Sequence, residues 1–180
     1  MDFIKTAPRV LVVYYSRSGH TESVADGLAR AAGGDLERLV STRDRRGLVG
    51  YLRSGFEAVC ELGGGILPPK RAPNDYDIVL IGTPTWGAGL SSPVRTYLDR
   101  FAGNLPEVGF FVTYGGRGAD RVIDQMRYLT GKTPLATLAL TERELKRLPS
   151  VYFGEFWERT LSTWEQRKAR VDAPASALAN

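Results

Sequence analysis

Residues 9–24 read RVLVVYYSRSGHTESV, and the change of character at residue 16 decides how the rest of the chain is organised. Val10, Leu11, Val12, Val13, Tyr14 and Tyr15 form an unbroken apolar and aromatic run, the pattern of a strand covered on both faces, as in a parallel sheet. Such a strand needs helices packed on both sides. Ser16, Arg17, Ser18, Gly19, His20 and Thr21 then bring hydroxyls and a glycine to the start of a helix, where unpaired N–H groups and the positive dipole end favour an anion. Two readings of this turn stand side by side: ordinary Ser/Thr helix caps that bind nothing, or a cradle for a phosphate. A Walker A loop is excluded, because no lysine follows Gly19, and the turn lacks the dinucleotide pattern G-x-G-x-x-G.

Outward from this stretch, apolar runs alternate with helical spacing. Val24, Leu28 and Ala31 predict a first helix over 21–32, ended by Gly33 and Gly34. A short strand follows at 35–40, then a helix at 47–62 with Val49, Leu52, Phe56 and Val59 on one face. Residues 66–75, ILPPKRAPND, are a loop, because their prolines cannot continue regular structure. A third strand is expected over 77–82, followed by the loop TPTWGAGL at 83–90. Ser92 then caps a helix with Pro93 at its first position and Val94, Tyr97, Leu98 and Phe101 on its apolar face. A fourth strand at 108–114 runs into the loop GGRG, and Val122, Ile123, Met126 and Leu129 mark a helix closed by Gly131. The fifth strand is 134–140, and Thr141 with Glu144 has capping-box spacing. In a last helix at 151–169, Phe153, Trp157, Thr160 and Trp164 share a face that reads as core packing, and 171–180 are expected to form a disordered tail. The whole is a doubly wound α/β fold, with residues 1–170 as a single domain.

S-R-S-G-H-T after an apolar strand resembles the phosphate loop T/S-x-T/S-G-x-T of the flavodoxin family. T-P-T-W-G-A-G at 83–89 resembles the family's second flavin loop and stands at the matching place, after the third strand. The resemblance covers roughly residues 9–140 and implies a flavodoxin-like five-stranded parallel sheet of order 2-1-3-4-5 that binds FMN. It implies that Ser16, Ser18 and Thr21 offer hydroxyls to the phosphate and that Arg17, Gly19 and His20 offer backbone amides. Thr83, Pro84, Thr85, Trp86 and Gly87 would border the flavin ring, Trp86 as the stacking aromatic and Gly87 as the glycine whose peptide can turn toward flavin N5. Glycine tolerates such a peptide flip, and a planar ring calls for an aromatic wall, though Trp86 could instead simply cover the end of the sheet. The third loop, with Tyr114, Gly115 and Gly116, is shorter than in shuttle flavodoxins, whose longer loop carries a second aromatic. If Tyr114 does not reach over the ring, one flavin face is open to hydride transfer.

Two functions from different classes follow. In one, an FMN-dependent oxidoreductase takes electrons from NAD(P)H and reduces a quinone or similar small-molecule acceptor, with flavin N5 carrying the chemistry and no side-chain acid or base required. In the other, a non-enzymatic one-electron carrier docks to redox partner proteins; a sensory flavin-binding module is a third and weaker reading. A formal charge of +4 counts against a carrier, since carrier flavodoxins are typically acidic around the flavin, and it is too small to argue for nucleic acid.

Positive charge concentrates over 43–71, where Arg43, Arg45, Arg46, Arg53, Lys70 and Arg71 form either a solvated surface or a docking patch for an anion. A lone cysteine, Cys60, fits a reducing cytoplasm, and Ile66 six residues later excludes the C-x5-R phosphatase loop. His20 is the only histidine, so no His-based metal cluster or Ser triad is available. No apolar run approaches the ~20 residues of a membrane span, and the oligomeric state is left open.

Overall fold

The computed structural model describes residues 7–42, 65–87, 89–147 and 150–172. The expected helix at 47–62, the arginines at 43, 45, 46 and 53, and Cys60 lie outside the described residues. Strands β1 (Val10–Tyr14), β2 (Asp35–Arg38), β3 (Ile78–Trp86), β5 (Glu107–Tyr114) and β6 (Thr137–Thr141) form a parallel sheet in the order β2-β1-β3-β5-β6. Counted along the parallel strands, that is the expected order 2-1-3-4-5. A short strand β4 (Gly89–Leu90) turns back antiparallel on the end of β3.

Helices α1 (His20–Ala32), α2 (Ser92–Phe101), α3 (Ala119–Thr130), α4 (Glu142–Leu145) and α5 (Val151–Asp172) cover the sheet. Alternate residues of the strands feed opposite cores. Val10, Val12, Tyr14, Ile78, Leu80 and Phe111 pack with Val24 and Leu28 of α1 and with Phe153 and Phe156 of α5. Leu11, Val13, Tyr15, Val79, Ile81, Phe110 and Val112 pack with Val94 and Tyr97 of α2 and with Val122 and Met126 of α3. Because β1 and β3 are buried on both faces, their continuous apolar runs are what two helical layers require.

Several boundaries differ from expectation. Residues 83–86 continue β3 rather than forming a loop: Thr83 and Pro84 stay in register with Val112 and Thr113 of β5, and Thr85 and Trp86 pair with Leu90 and Gly89. β5 runs far enough to offer those partners, and Thr and Trp suit a strand. The N-cap of α2 is Ser91 rather than Ser92, which puts Pro93 at the second helical position. β6 begins at Thr137, although Leu135 N–H and Ala136 C=O already bond to β5. α5 runs to Asp172, so Val171 and Asp172 are helical and not part of a tail; residues 173–180 are outside the described residues. The capping box at Thr141 and Glu144 forms as expected, and its hydrogen bonds hold the Glu144 carboxyl below the ordinary range. Lys70 and Arg71, at the end of the basic segment, serve β2. Lys70 N–H donates to Glu37 Oε1 at 3.0 Å, and Arg71 donates to the Leu36 carbonyl and sits 3.6 Å from both Asp35 and Glu37.

Between β3 and β5, large and absent side chains alternate across the pairing. Gly82 lies opposite Phe111 and Leu80 opposite Gly109; a methyl built on Gly82 would overlap the Phe111 ring, and one on Gly109 would come 2.7 Å from Leu80. Gly82→Ala is expected to destabilise the protein by about 1–3 kcal/mol through overpacking, with partial recovery in Gly82→Ala/Phe111→Leu. Urea unfolding of the variants checks this, and an unchanged midpoint for Gly82→Ala would refute it.

Candidate functional site

The first loop is built by β1 handing over to α1. Ser16 is buried, and its Oγ accepts the Gly19 N–H at 3.1 Å, which tightens the turn. Gly19 is the N-cap of α1 at φ 90°, a left-handed conformation in which a side chain would be strained. No side chain caps the helix, and the first bond within it is Ser23 N–H to Gly19 C=O at 2.9 Å. The N–H groups of His20, Thr21 and Glu22 therefore have no acceptor inside the helix and are available to an anion. Arg17 and Ser18 are exposed beside them.

Glu22 would oppose an anion here, but its charge is engaged sideways. Tyr14 O–H donates to its Oε1 at 3.1 Å and Arg38 Nη1 at 3.0 Å. Burial, and then Glu22 itself, push the Tyr14 phenol up to about 12, so Tyr14 stays a donor throughout the neutral range. His20 Nδ1 lies 3.7 Å from Glu142 Oε1 of α4. Thr21 differs from the open hydroxyl envisaged in the sequence: it is buried, and its Oγ1 lies 2.8 Å from Thr113 Oγ1, joining the first turn of α1 to β5.

The second loop is the β3–β4 hairpin. Trp86 stands at its tip, 38% exposed, edge-on to Tyr15 with ring centroids 5.4 Å apart and planes at 88°. Gly87 follows at φ 55° with open space where a side chain would be. Below the tip the hairpin is held by bonds to distant elements. Thr83 Oγ1 donates to the Pro84 carbonyl at 2.9 Å, so in its 2.8 Å contact with Ser91 the serine hydroxyl is the donor. Leu90 N–H donates to Gln125 Oε1 of α3 at 2.9 Å. Thr85 and Pro84 are half-buried. Thr113 and Gln125 are not marked in the sequence because each acts through a partner remote in sequence, and Ser91 because it bonds across the hairpin to Thr83, which no local pattern marks.

The third loop, 115–118, is short. Tyr114 is half-buried and packs back against the core on the α2 and α3 side, while Gly115 and Gly116 are exposed with open space around them. The three loops leave the carboxyl ends of β1, β3 and β5. The chain turns from β1 outward to β2 and returns to β3 on the other side, and in open α/β sheets a crevice suited to ligands lies at that switch point. It is bordered by free helix amides on one side and an exposed indole on the other, which fits a group with an anionic end and a planar apolar end. Among the described residues no cluster of His, Cys, Asp and Glu could hold a metal ion, and no helix is long and apolar enough to cross a membrane.

No protein-family model matches the chain. Its structure is similar to the crystal structure of a flavoprotein in complex with FMN from Lactobacillus acidophilus, at 21% identity and a TM-score of 0.58, over 78% of this chain and 98% of that one. It is also similar to the solution structure of two-electron reduced flavodoxin from Megasphaera elsdenii, at 22% identity and a TM-score of 0.55, over 84% of this chain and 98% of that one. The chain has a flavodoxin-like fold. In sequence, an NAD(P)H dehydrogenase (quinone) of Paracoccus denitrificans is 37% identical over 101 residues, which are 52% of this chain and 45% of the relative. The match thus spans less than half of that relative's length.

In this flavodoxin-like chain the Thr21–Thr113 contact is the buried bond between the first and third loops. Thr21→Val leaves the Thr113 hydroxyl without that partner and is expected to cost about 1–3 kcal/mol, whereas Thr21→Val/Thr113→Val should cost less than the sum of the two single changes. Urea unfolding of all four proteins completes the cycle; strict additivity would mean that the two hydroxyls do not interact.

Proposed function

We propose that the chain is an FMN-dependent oxidoreductase that passes electrons from NAD(P)H to a quinone or similar small-molecule acceptor. The observation that carries this reading is the third loop: with Tyr114 packed back into the core, the crevice is bordered there by glycines, and a planar partner can approach a ring lying against the hairpin. The fold of the FMN-bound and two-electron reduced neighbours supports the cofactor, and the local identity to a quinone dehydrogenase supports the reaction class.

The chain's own residues have distinct tasks. The free N–H groups of His20, Thr21 and Glu22, with the Ser18 hydroxyl, hold the phosphate; Ser16 shapes the turn through the Gly19 N–H. Trp86 would supply an aromatic wall steadied by Tyr15, and the open space at Gly87 would leave room for a ring beside the hairpin tip. Gly115 and Gly116 keep the approach open. FMN supplies the capacity to accept a hydride at ring N5 and pass the electrons on. No side-chain acid or base takes part, since the acceptor draws its protons from solvent at an open edge. In this reading the chain works as a single domain, and a lone cysteine suits a reducing cytoplasm.

Ser16→Ala/Ser18→Ala is expected to weaken FMN binding roughly tenfold while leaving riboflavin, which lacks the phosphate, nearly unaffected. Fluorescence titration of both flavins reads this directly, and equal losses would remove the turn as the phosphate site. The FMN-loaded protein should also oxidise NAD(P)H at the expense of a quinone in a steady-state assay. Tight FMN binding with no such turnover would leave the one-electron carrier.

A further inference from the structure

Helices α2 and α3 pack side by side, and between them lies a groove of about 460 Å³ lined by Arg95, Arg121, Asp124, Gln125, Tyr128 and Leu129. That volume is within the range of small-ligand sites, roughly 300–1,000 Å³. Both helices start at the carboxyl edge of the sheet, so Arg95 in the first turn of α2 and Arg121 in the first turn of α3 stand at the end of the groove nearest the crevice. Neither forms an ion pair among the described residues. The one carboxylate of the groove, Asp124, is already bound by Arg127 at 2.9 Å, so the free charge facing the groove is positive. Tyr128 lies two turns farther along α3, about 10 Å from Arg121, and is 87% exposed. A groove with two free guanidiniums at one end and an uncovered aromatic ring at the other has the chemistry of a nucleotide site: planar forks for phosphate oxygens, a ring for a base to stack on.

We propose that this groove holds the adenosine diphosphate half of the nicotinamide dinucleotide, with the phosphates on Arg95 and Arg121 and the adenine against Tyr128. The proposal rests on the oxidoreductase reading above and gives that reaction a donor site in two parts. With the phosphates at the crevice end, the nicotinamide half extends toward the β3–β4 hairpin. Gln125, a wall of the groove, also holds Leu90 of that hairpin, so the same side chain borders the dinucleotide and positions the Trp86–Gly87 tip.

Titration calorimetry of the FMN-loaded full chain with ADP tests the groove without any turnover. ADP should bind the wild type and bind roughly tenfold more weakly to Arg95→Gln/Arg121→Gln, with part of the loss restored in Arg95→Lys/Arg121→Lys; Tyr128→Ala should weaken it as well. In steady state the Gln pair should raise the KM for NADH while leaving the KM for dihydronicotinamide riboside, which carries neither the phosphates nor the adenosine, unchanged. These are exposed positions, so the thermal unfolding of the variants should match the wild type. No ADP binding by the wild type, or equal ADP affinity in wild type and the Gln pair, overturns the groove. Failure to oxidise either donor, with ADP binding intact and arginine-dependent, overturns the oxidoreductase reading instead.

Discussion

Burial of β1 and β3 on both faces is the constraint from which the rest of the molecule follows. Their backbone groups are satisfied by neighbouring strands and their side chains by two apolar cores, so an unpaired polar group at the centre of the sheet would be costly. Polarity returns abruptly toward the strand ends. At the carboxyl edge of β1 it returns as Ser16 and a helix without a side-chain cap; within β3, three residues before its end, as the buried hydroxyl pair of Thr83 and Ser91. The same constraint explains why the loops are so firmly tied down. Each contains groups that leave the core only partly, and the Thr21–Thr113, Thr83–Ser91 and Leu90–Gln125 bonds satisfy them within the protein.

What could be read from the residues, and what could not, divides along the same line. The alternation of strands and helices was legible because continuous apolar runs and 3.6-residue spacing are local properties; so were the turn at Ser16–Thr21 and the capping box at Thr141. The overshoot of β3 through Pro84 to Trp86 was not, because it depends on β5 running on to Tyr114 beside it, a fact about two strands at once. Thr21 shows the limit most clearly. Its place in an S-x-S-G-x-T turn suggests an open hydroxyl, yet the handedness of α1 turns that residue inward to Thr113, 92 positions away. Gln125 reads in sequence as one polar residue among several on an amphipathic helix, and only the folded hairpin gives its amide a partner.

Charge was the hardest property to place. Arg71 belongs to a basic stretch that, as composition, could equally face solvent or an anion. In the fold it neutralises Glu37, a carboxylate only 5% exposed on β2, and this pairing is what lets an acidic residue sit in a strand otherwise next to the core. Arg38 does the same for Glu22 at the mouth of the crevice. A count of positive residues overstates the charge that remains free, and Arg95 and Arg121 stand out because, among the described residues, no carboxylate pairs with either.

The reciprocal pairing of Leu80 with Gly109 and Phe111 with Gly82 also bears on how the chain avoids assembling incorrectly. Strands buried on both faces lack the in-out alternation that normally tells one alignment from another, so a slide of β5 along β3 by two residues would keep apolar groups against apolar groups. Here such a slide would either press Leu80 against Phe111 or set Gly82 against Gly109, overfilling the layer in the first case and leaving it hollow in the second. The two glycines act as notches that accept one alignment and reject its near neighbours, so the carboxyl ends of β3 and β5, with the loops they carry, arrive at the same height.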